Sequence, residues 1–142
     1  MQDGEYLFVY GTLMRPLGHP MHRYLRASCS FLERGWVWGS LYDLGGYPGL
    51  LAPGSSKVRG EIYRVVDAAQ LFGALDRYEE CHESFPAPHE YRREIVRVTG
   101  ESGRVYRCWA YLYQFGVSDD MKIEDGDYLR HSQRGSHEQT DT

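Results

Sequence analysis

The order of hydrophobic and polar residues predicts several strands in the first half of the chain. Residues 6–10 form a compact apolar run that Gly11 breaks, which is typical of a buried strand ending in a loop. Residues 36–43 and 58–66 have the composition of two further strands. Between them, glycine and proline within residues 45–49 give a dense turn signal.

The clearest helix is predicted to begin at Asp67. Asp67 and Gln70 match a variant of the capping box, in which a side chain accepts from a backbone N–H three residues later. One apolar stripe at helical spacing follows, made of Leu71, Leu75 and Tyr78. The helix is expected to end near Glu79 or Glu80. A shorter helix is predicted around residues 21–27.

The last third of the chain contains the best hairpin pattern, with strands at residues 91–98 and 104–113 around a turn at 100–103. About five strands with few helices favour a sheet curled toward a barrel over a doubly wound fold. The predicted fold class is α+β, a small mixed-sheet β-barrel-like domain with one principal helix. We expect a single domain over residues 1–130 and a disordered tail over residues 131–142, which are polar throughout.

Composition and charge narrow the function classes. Apolar residues make up 42% of the 142 residues and the net charge is −4, with arginines interspersed among acids, so no nucleic-acid partner is expected. No apolar run approaches the roughly 20 residues of a membrane helix, so no membrane partner is expected either. The polar start of the chain argues against a secretory signal. Three cysteines without a CxxC pair suit free thiols, which favours a cytoplasmic location.

Two segments are candidates for chemistry. In Tyr10-Gly11-Thr12-Leu13, a glycine at a strand end allows close backbone approach, and successive N–H groups can hold an anion. A plain strand-to-loop turn is the alternative. Residues 75–80 place three acids and one arginine at a helix C-terminus, where the helix dipole disfavours negative charge. Such a conflict marks either function or a compensating partner, and a solvated helix end is the alternative.

Other reactive residue types give weaker signals. The histidines show no metal-ligand spacing, so no metal site is expected. No nucleophile motif of the G-x-S-x-G kind is present, and Cys108 lies in a strand-like run that indicates a core position. Arg92, Arg93 and Arg97 on the predicted hairpin are interpreted as solvent-facing.

Taken in chain order, the motifs resemble the gamma-glutamylcyclotransferase-like family, also called the avirulence-induced-gene-like family. The matching segments cover most of the chain from residue 6 to residue 113, at residues 7–13, 39–44, 47–49, 58–63, 75–79, 91–93 and 109–111. Gly126-Asp127-Tyr128 stands where the family has a Gly-Asp-Trp segment, which is a minor departure.

The resemblance implies an enzyme with a cavity at one mouth of a small barrel-like fold. It would cyclise a gamma-glutamyl amine or amide to 5-oxoproline and release a free amine, in gamma-glutamyl or glutathione metabolism, without a cofactor. The family's catalytic glutamate falls on Glu79, the last position of Leu-Asp-x-Tyr-Glu. The substrate would be bound by Tyr10, Gly11, Thr12, Leu13 and Tyr91, with Tyr113 as a further wall residue.

Two alternatives to this function stay open. The same cavity could serve another small-molecule reaction, since a fold does not determine a function. A non-catalytic ligand-binding module is the other alternative, although Glu79 and the Tyr10–Leu13 segment are both intact. The sequence leaves the released amine, the pathway and the oligomeric state open. We hypothesise that the loop over residues 81–90 closes over the site.

Overall fold

The computed structural model describes residues 5–11, 14, 22–45, 47–78 and 90–131, with the backbone alone at His22, Tyr24 and Tyr78. Seven main elements occur in these residues. In chain order they are β1 (Glu5–Val9), α1 (His22–Ser28), β2 (Cys29–Asp43), β3 (Pro48–Val65), α2 (Ala68–Tyr78), β4 (Tyr91–Gly100) and β5 (Val105–Tyr113). A 3-10 helix, Asp119–Met121, follows the last strand.

The strands form a closed barrel in the order β1-β3-β2-β4-β5. β1 runs parallel to β5, and every other neighbouring pair is antiparallel, so the sheet is mixed. This confirms the predicted fold class. β2 and β4 pair at Gly35↔Gly100 and Trp36↔Thr99. Beyond this junction lies an open groove of about 950 Å³, whose lining includes residues from both strands.

Burial explains why β1 reads as a continuous apolar run. Leu7 and Phe8 point to opposite faces of the strand, yet each is 1% exposed. A strand buried on both faces has no position for a polar side chain, so its pattern is a run and not an alternation. β5 alternates along its first half, with Tyr106, Cys108 and Ala110 buried and Val105 and Arg107 exposed.

The predicted helices are confirmed, as are the first strand and the hairpin of β4 and β5. Asp67 Oδ1 accepts a hydrogen bond of 3.1 Å from the Gln70 backbone N–H, so the predicted cap of α2 is present. α1 lies one residue away from its predicted position. Within the described ranges, no helix is both long and apolar enough to cross a membrane.

The bounds of the second and third predicted strands were wrong. Residues 36–43 are the last part of β2, and residues 58–65 are the last part of β3. The turn between them is confirmed by the hydrogen bond from Leu44 N to Tyr47 O at 2.8 Å, but Pro48 and Gly49 already belong to β3. Residues 132–142 of the predicted tail lie outside the described residues, so the domain boundary at residue 130 stays a prediction.

The carboxylate of Glu33 ties the β4–β5 hairpin to β2. Glu33 accepts hydrogen bonds from the Tyr106 hydroxyl at 2.7 Å and from the Ser102 backbone N–H and hydroxyl, both at 2.8 Å. These hydrogen bonds hold the pKa of Glu33 below its ordinary value. The bond from the Tyr106 hydroxyl has the largest effect, and the bond from the Ser102 backbone N–H has the next largest.

We expect Glu33→Gln to destabilise the protein at neutral pH and to lose that effect in acid. A depressed folded-state pKa contributes stability above the unfolded pKa, about 4.3 for Glu, and that contribution is lost as pH falls through the folded pKa. Urea unfolding of wild type and Glu33→Gln at pH 7 and near pH 3 measures this. A stability gap that stays constant or widens in acid would contradict the assignment. Tyr106→Phe is expected to cost about 1 kcal/mol at neutral pH.

Candidate active site

The end of β1 places the first half of the predicted substrate segment at one end of the barrel. Tyr10 follows the strand, is 7% exposed, and donates its hydroxyl to the backbone carbonyl of Tyr111 on β5. At Gly11 an added Cβ would lie 2.6 Å from Cγ of Pro48, so only glycine fits without displacing the ring. The Gly11 carbonyl accepts from the Met14 N–H at 3.1 Å, so the chain turns there. Thr12 and Leu13 lie outside the described residues.

The predicted wall residues Tyr91 and Tyr113 meet at the same end of the barrel. The Tyr91 hydroxyl donates to the Pro48 carbonyl at 2.8 Å, and the Tyr91 and Tyr113 rings pack edge to face at 5.6 Å. A Cβ added at Gly49 would lie 3.0 Å from the Tyr113 side chain. The start of β3 is therefore the common neighbour of Gly11, Tyr91 and Tyr113. The structure brings these residues together, and their roles toward a substrate stay predictions.

Tyr113 has an environment that keeps its hydroxyl protonated. Burial, and to a lesser extent the Glu90 carboxylate, raise the pKa of Tyr113 above its ordinary value. Glu90 itself accepts from the Tyr47 hydroxyl at 2.9 Å, which joins the turn before β3 to the start of β4. At neutral pH, Tyr113 is thus a neutral hydroxyl on an aromatic wall, and it can donate a hydrogen bond.

The C-terminal turn of α2 reaches this end of the barrel through Asp76. Its Oδ1 accepts from Arg93 Nε at 2.9 Å and from the Tyr111 hydroxyl at 2.6 Å, and its Oδ2 accepts from Arg93 Nη2 at 3.2 Å. Arg93 is therefore the compensating partner that the excess of acids at the helix end called for. Glu79 and Glu80, which follow α2 directly in sequence, lie outside the described residues, as do residues 81–89 of the hypothesised loop.

The interpretation of Arg93 as solvent-facing was wrong, whereas Arg92 and Arg97 are exposed as expected. The Arg93 side chain is 26% exposed and that of Arg92 is 69% exposed. Sequence reasoning missed Arg93 and Tyr111 as members of the candidate site, and it placed Asp76 in the candidate segment 75–80 without giving it a role of its own. Strand alternation offered a usable signal, because Arg93 shares a face of β4 with Tyr91.

The described residues contain neither a metal-binding cluster nor a cysteine with a lowered pKa. Among them, no group of three or more His, Cys, Asp or Glu side chains could hold a metal ion. Cys29 and Cys108 are buried free thiols, and burial raises the pKa of each to about 12, so neither is a thiolate nucleophile near neutrality. Cys108 occupies the core position that the sequence indicated. The described part of the candidate site presents backbone groups, tyrosine hydroxyls and the carboxylates of Asp76 and Glu90.

The family described as gamma-glutamyl cyclotransferase, AIG2-like, matches residues 7–130. The chain belongs to this family. A Vibrio cholerae protein named as a candidate gamma-glutamylcyclotransferase is 36% identical over 126 residues, which cover 87% of this chain and 95% of that protein. The gamma-glutamylcyclotransferase family protein YtfP of Escherichia coli is 30% identical over 132 residues, with the same coverage of each chain.

Solved structures agree with this assignment of the fold. The crystal structure of an AIG2-like protein from Mus musculus is 29% identical, has a TM-score of 0.67, and is matched over 89% of each chain. An uncharacterised protein from Pyrococcus horikoshii, 24% identical, has a TM-score of 0.67 over 94% of this chain and 98% of its own. The five-stranded barrel is thus the fold of the gamma-glutamyl cyclotransferase, AIG2-like family.

Gly11→Ala tests the close packing at the end of β1. Because the added methyl would meet the Pro48 ring, we expect a loss of about 1–3 kcal/mol in the free energy of unfolding. Gly73→Ala in α2 is the control, since a Cβ there meets nothing within 4 Å and alanine favours the helix by about 0.5–1 kcal/mol. Equal effects of both variants on urea unfolding would show that Pro48 yields freely.

Proposed function

We propose that this protein cyclises gamma-glutamyl amines or amides to 5-oxoproline and releases the free amine. In this reaction the substrate's α-amine nitrogen bonds to its own γ-carbonyl carbon, and the bond from that carbon to the departing nitrogen breaks. One proton leaves the attacking nitrogen, one joins the leaving nitrogen, and no water is consumed. Family membership supports a gamma-glutamylcyclotransferase-like function in general, and the specific reaction and substrate class are our proposal.

A single structural observation carries the proposal. The end of β1 at Tyr10 and Gly11 and the C-terminal turn of α2 at Asp76 are joined through Tyr111, which contacts Tyr10 by its carbonyl and Asp76 by its hydroxyl. The described parts of the two segments singled out from the sequence therefore meet at one end of the barrel, although Tyr10 and Asp76 are far apart in the chain. Glu79 belongs to this second segment and comes directly after Tyr78, the last residue of α2, in the sequence.

The chemistry of cyclisation fits a site without a protein nucleophile. Attack by the substrate's own amine is intramolecular, so the enzyme mainly has to fold the substrate and hold its reacting atoms together. Aromatic walls and a tight backbone turn suit that task better than an activated serine or cysteine would. Burial raises the pKa of both described cysteines, which supports a mechanism that needs neither of them.

We assign proton transfer to Glu79. In this proposal its carboxylate takes a proton from the attacking amine and later gives one to the leaving nitrogen. The backbone N–H groups of residues 11–13 would hold the substrate carboxylate or the oxyanion that develops on the γ-carbonyl oxygen. Tyr91 and Tyr113 would form the wall beside them. The cytoplasmic location indicated by the cysteine pattern is part of the same proposal.

The test is a screen of purified protein for 5-oxoproline release. The panel contains gamma-glutamyl amino acids, gamma-glutamyl amines and glutathione, each followed by mass spectrometry of the acyl product. We expect turnover of one of these classes. If a folded protein releases 5-oxoproline from none of them, the proposal is wrong, and binding of the same compounds by calorimetry would then favour the ligand-binding alternative.

A further inference from the structure

Three hydrogen bonds to the Asp76 carboxylate join α2 to the sheet. Both oxygens of the Asp76 carboxylate are used: Oδ1 accepts from Arg93 Nε at 2.9 Å and Oδ2 from Arg93 Nη2 at 3.2 Å. Such two-point pairing of guanidinium and carboxylate fixes angle as well as distance. The Tyr111 hydroxyl adds a third bond to Oδ1 at 2.6 Å. The last turn of α2 is thereby held in one orientation against β4 and β5.

The Arg93 guanidinium also fills the joint between the helix and the sheet. It lies 4.2 Å from the ring centroid of Phe72 on α2 and 4.6 Å from that of Trp109 on β5. Those two rings pack against each other at 6.0 Å. A planar cation over aromatic faces is favourable, and these contacts further restrict the orientation of the guanidinium. A lysine could supply the charge but not the plane or the two parallel donors.

An anion on the last turn of a helix opposes the helix dipole. A partly buried ion pair is also seldom more stabilising than apolar packing of similar volume. The Asp76 and Arg93 side chains are 18% and 26% exposed, so part of their hydration is lost. The pair fixes geometry better than apolar packing does. The segment whose geometry it fixes is the last turn of α2, which immediately precedes Glu79 in the sequence.

We propose that Asp76 and Arg93 are positioning residues that set where Glu79 stands relative to Tyr10 and Gly11. This inference rests on the proposed function. Asp76 lies in the last turn of α2, three residues before Glu79 in the sequence, so the chain enters Glu79 from a turn whose orientation the ion pair fixes. Tyr111 completes the link, because its carbonyl accepts from the Tyr10 hydroxyl while its own hydroxyl donates to Asp76.

The experiment compares Arg93→Gln and Asp76→Asn with Arg92→Gln. Arg92 is the matched control, because it is the preceding residue on the same strand, is 69% exposed, and lies 3.9 Å from Glu94. For the two positioning variants, we expect kcat to fall about 10–100-fold, the range that a small misplacement of a catalytic group produces. We expect KM to stay within about threefold, since substrate contacts remain. Arg92→Gln should match wild type in both constants.

Two further variants separate positioning from general stability. Arg93→Lys should recover part of the lost kcat, because it restores charge without the two-point geometry. The kcat of the double variant Arg93→Gln/Asp76→Asn should lie within about twofold of that of the less active single variant, since both substitutions break the same ion pair.

Circular dichroism and urea unfolding establish the folded fraction of each variant at the assay temperature. If Arg93→Gln or Asp76→Asn does not fold, Tyr111→Phe removes one hydroxyl and should still lower kcat by about 3–10-fold.

The positioning role and the proposed function fail in different ways. If wild type is active and folded Arg93→Gln has the same kcat, the positioning role is overturned and the proposed function stands. Where the other variants do not fold, an unchanged kcat in Tyr111→Phe has the same meaning. The positioning role is also overturned if the loss of kcat only tracks the loss of folded protein, or if the single effects multiply in the double variant. Wild type that releases no 5-oxoproline from any substrate overturns the proposed function, and the positioning role with it.

Discussion

Glu79→Gln is expected to lower kcat by about 10²–10⁴-fold, the usual contribution of a positioned general acid–base group. The amide keeps the size and hydrogen-bonding capacity of the carboxylate but neither takes nor gives a proton near neutrality. Substrate binding should change less, because the proposed anion site and walls lie at the end of β1 and around Tyr91 and Tyr113. Steady-state rates of 5-oxoproline release give kcat and KM for both proteins.

Glu80→Gln is the control for that result. It removes the same charge one residue further along, at a position outside the Leu-Asp-x-Tyr-Glu motif, so kcat should stay within about twofold of wild type. A loss of kcat in Glu80→Gln with none in Glu79→Gln would move the acid–base role to the neighbouring residue. Equal and small losses in both would mean that neither carboxylate transfers the proton.

Blocking the substrate's own amine should be as damaging as removing Glu79. In the proposed reaction the α-amine is the nucleophile, so an N-acetyl gamma-glutamyl amine has nothing with which to attack. We expect turnover at least about 10³-fold below that of the free-amine substrate, because the advantage of an intramolecular nucleophile is lost entirely. The N-methyl substrate is the control for bulk, since it adds a carbon but keeps a basic nitrogen.

Cleavage of the N-acetyl substrate at an undiminished rate would contradict cyclisation. Such a result would identify water or a protein group as the attacking nucleophile, and N-acetylglutamate as the product. Competition by the N-acetyl compound against the true substrate should also be measured. Competitive inhibition without turnover would show that the blocked compound still enters the site.

Local sequence patterns were sufficient to predict the secondary-structure elements that are short and uninterrupted. The apolar run at residues 6–10 and the hairpin over residues 91–113 could be predicted because each strand is bounded by a clear break in sequence. The cap at Asp67 was equally readable, since it depends on residues three positions apart. The pairing of β1 with β5 closes the barrel and joins Tyr6 to Cys108. Because these residues are far apart in the chain, no local sequence pattern predicts that they pair.

The long strands β2 and β3 could not be bounded from their sequences. Residues 53–56 read Pro-Gly-Ser-Ser, which is typical of a loop, yet they lie within β3. The register with β2 shifts here, so that Gly39 pairs with Ser56 while Ser40 pairs with Leu51. A Cβ at Gly54 would lie 2.5 Å from the Gly39 backbone carbon. Gly54 therefore permits a close approach of two backbones, which the sequence cannot distinguish from a turn.

The candidate site was predictable in its motifs and less so in its supporting contacts. Gly11, Tyr91 and Tyr113 were named from the sequence, and the structure gathers them around the start of β3. Arg93 was not recognised, because an arginine on a charged strand is ordinarily solvated. Its partner Asp76 is 17 residues away, and only the packing of α2 on β4 and β5 brings the two together.

The most direct test of cyclisation follows oxygen from water. Wild-type protein is incubated with its substrate in water enriched in ¹⁸O, and the acyl product is analysed by mass spectrometry. Cyclisation predicts 5-oxoproline without ¹⁸O, because the amine of the substrate forms the new bond and no water enters. Glutamate that carries one ¹⁸O atom would contradict it, since that product requires water as the nucleophile and makes the protein a hydrolase.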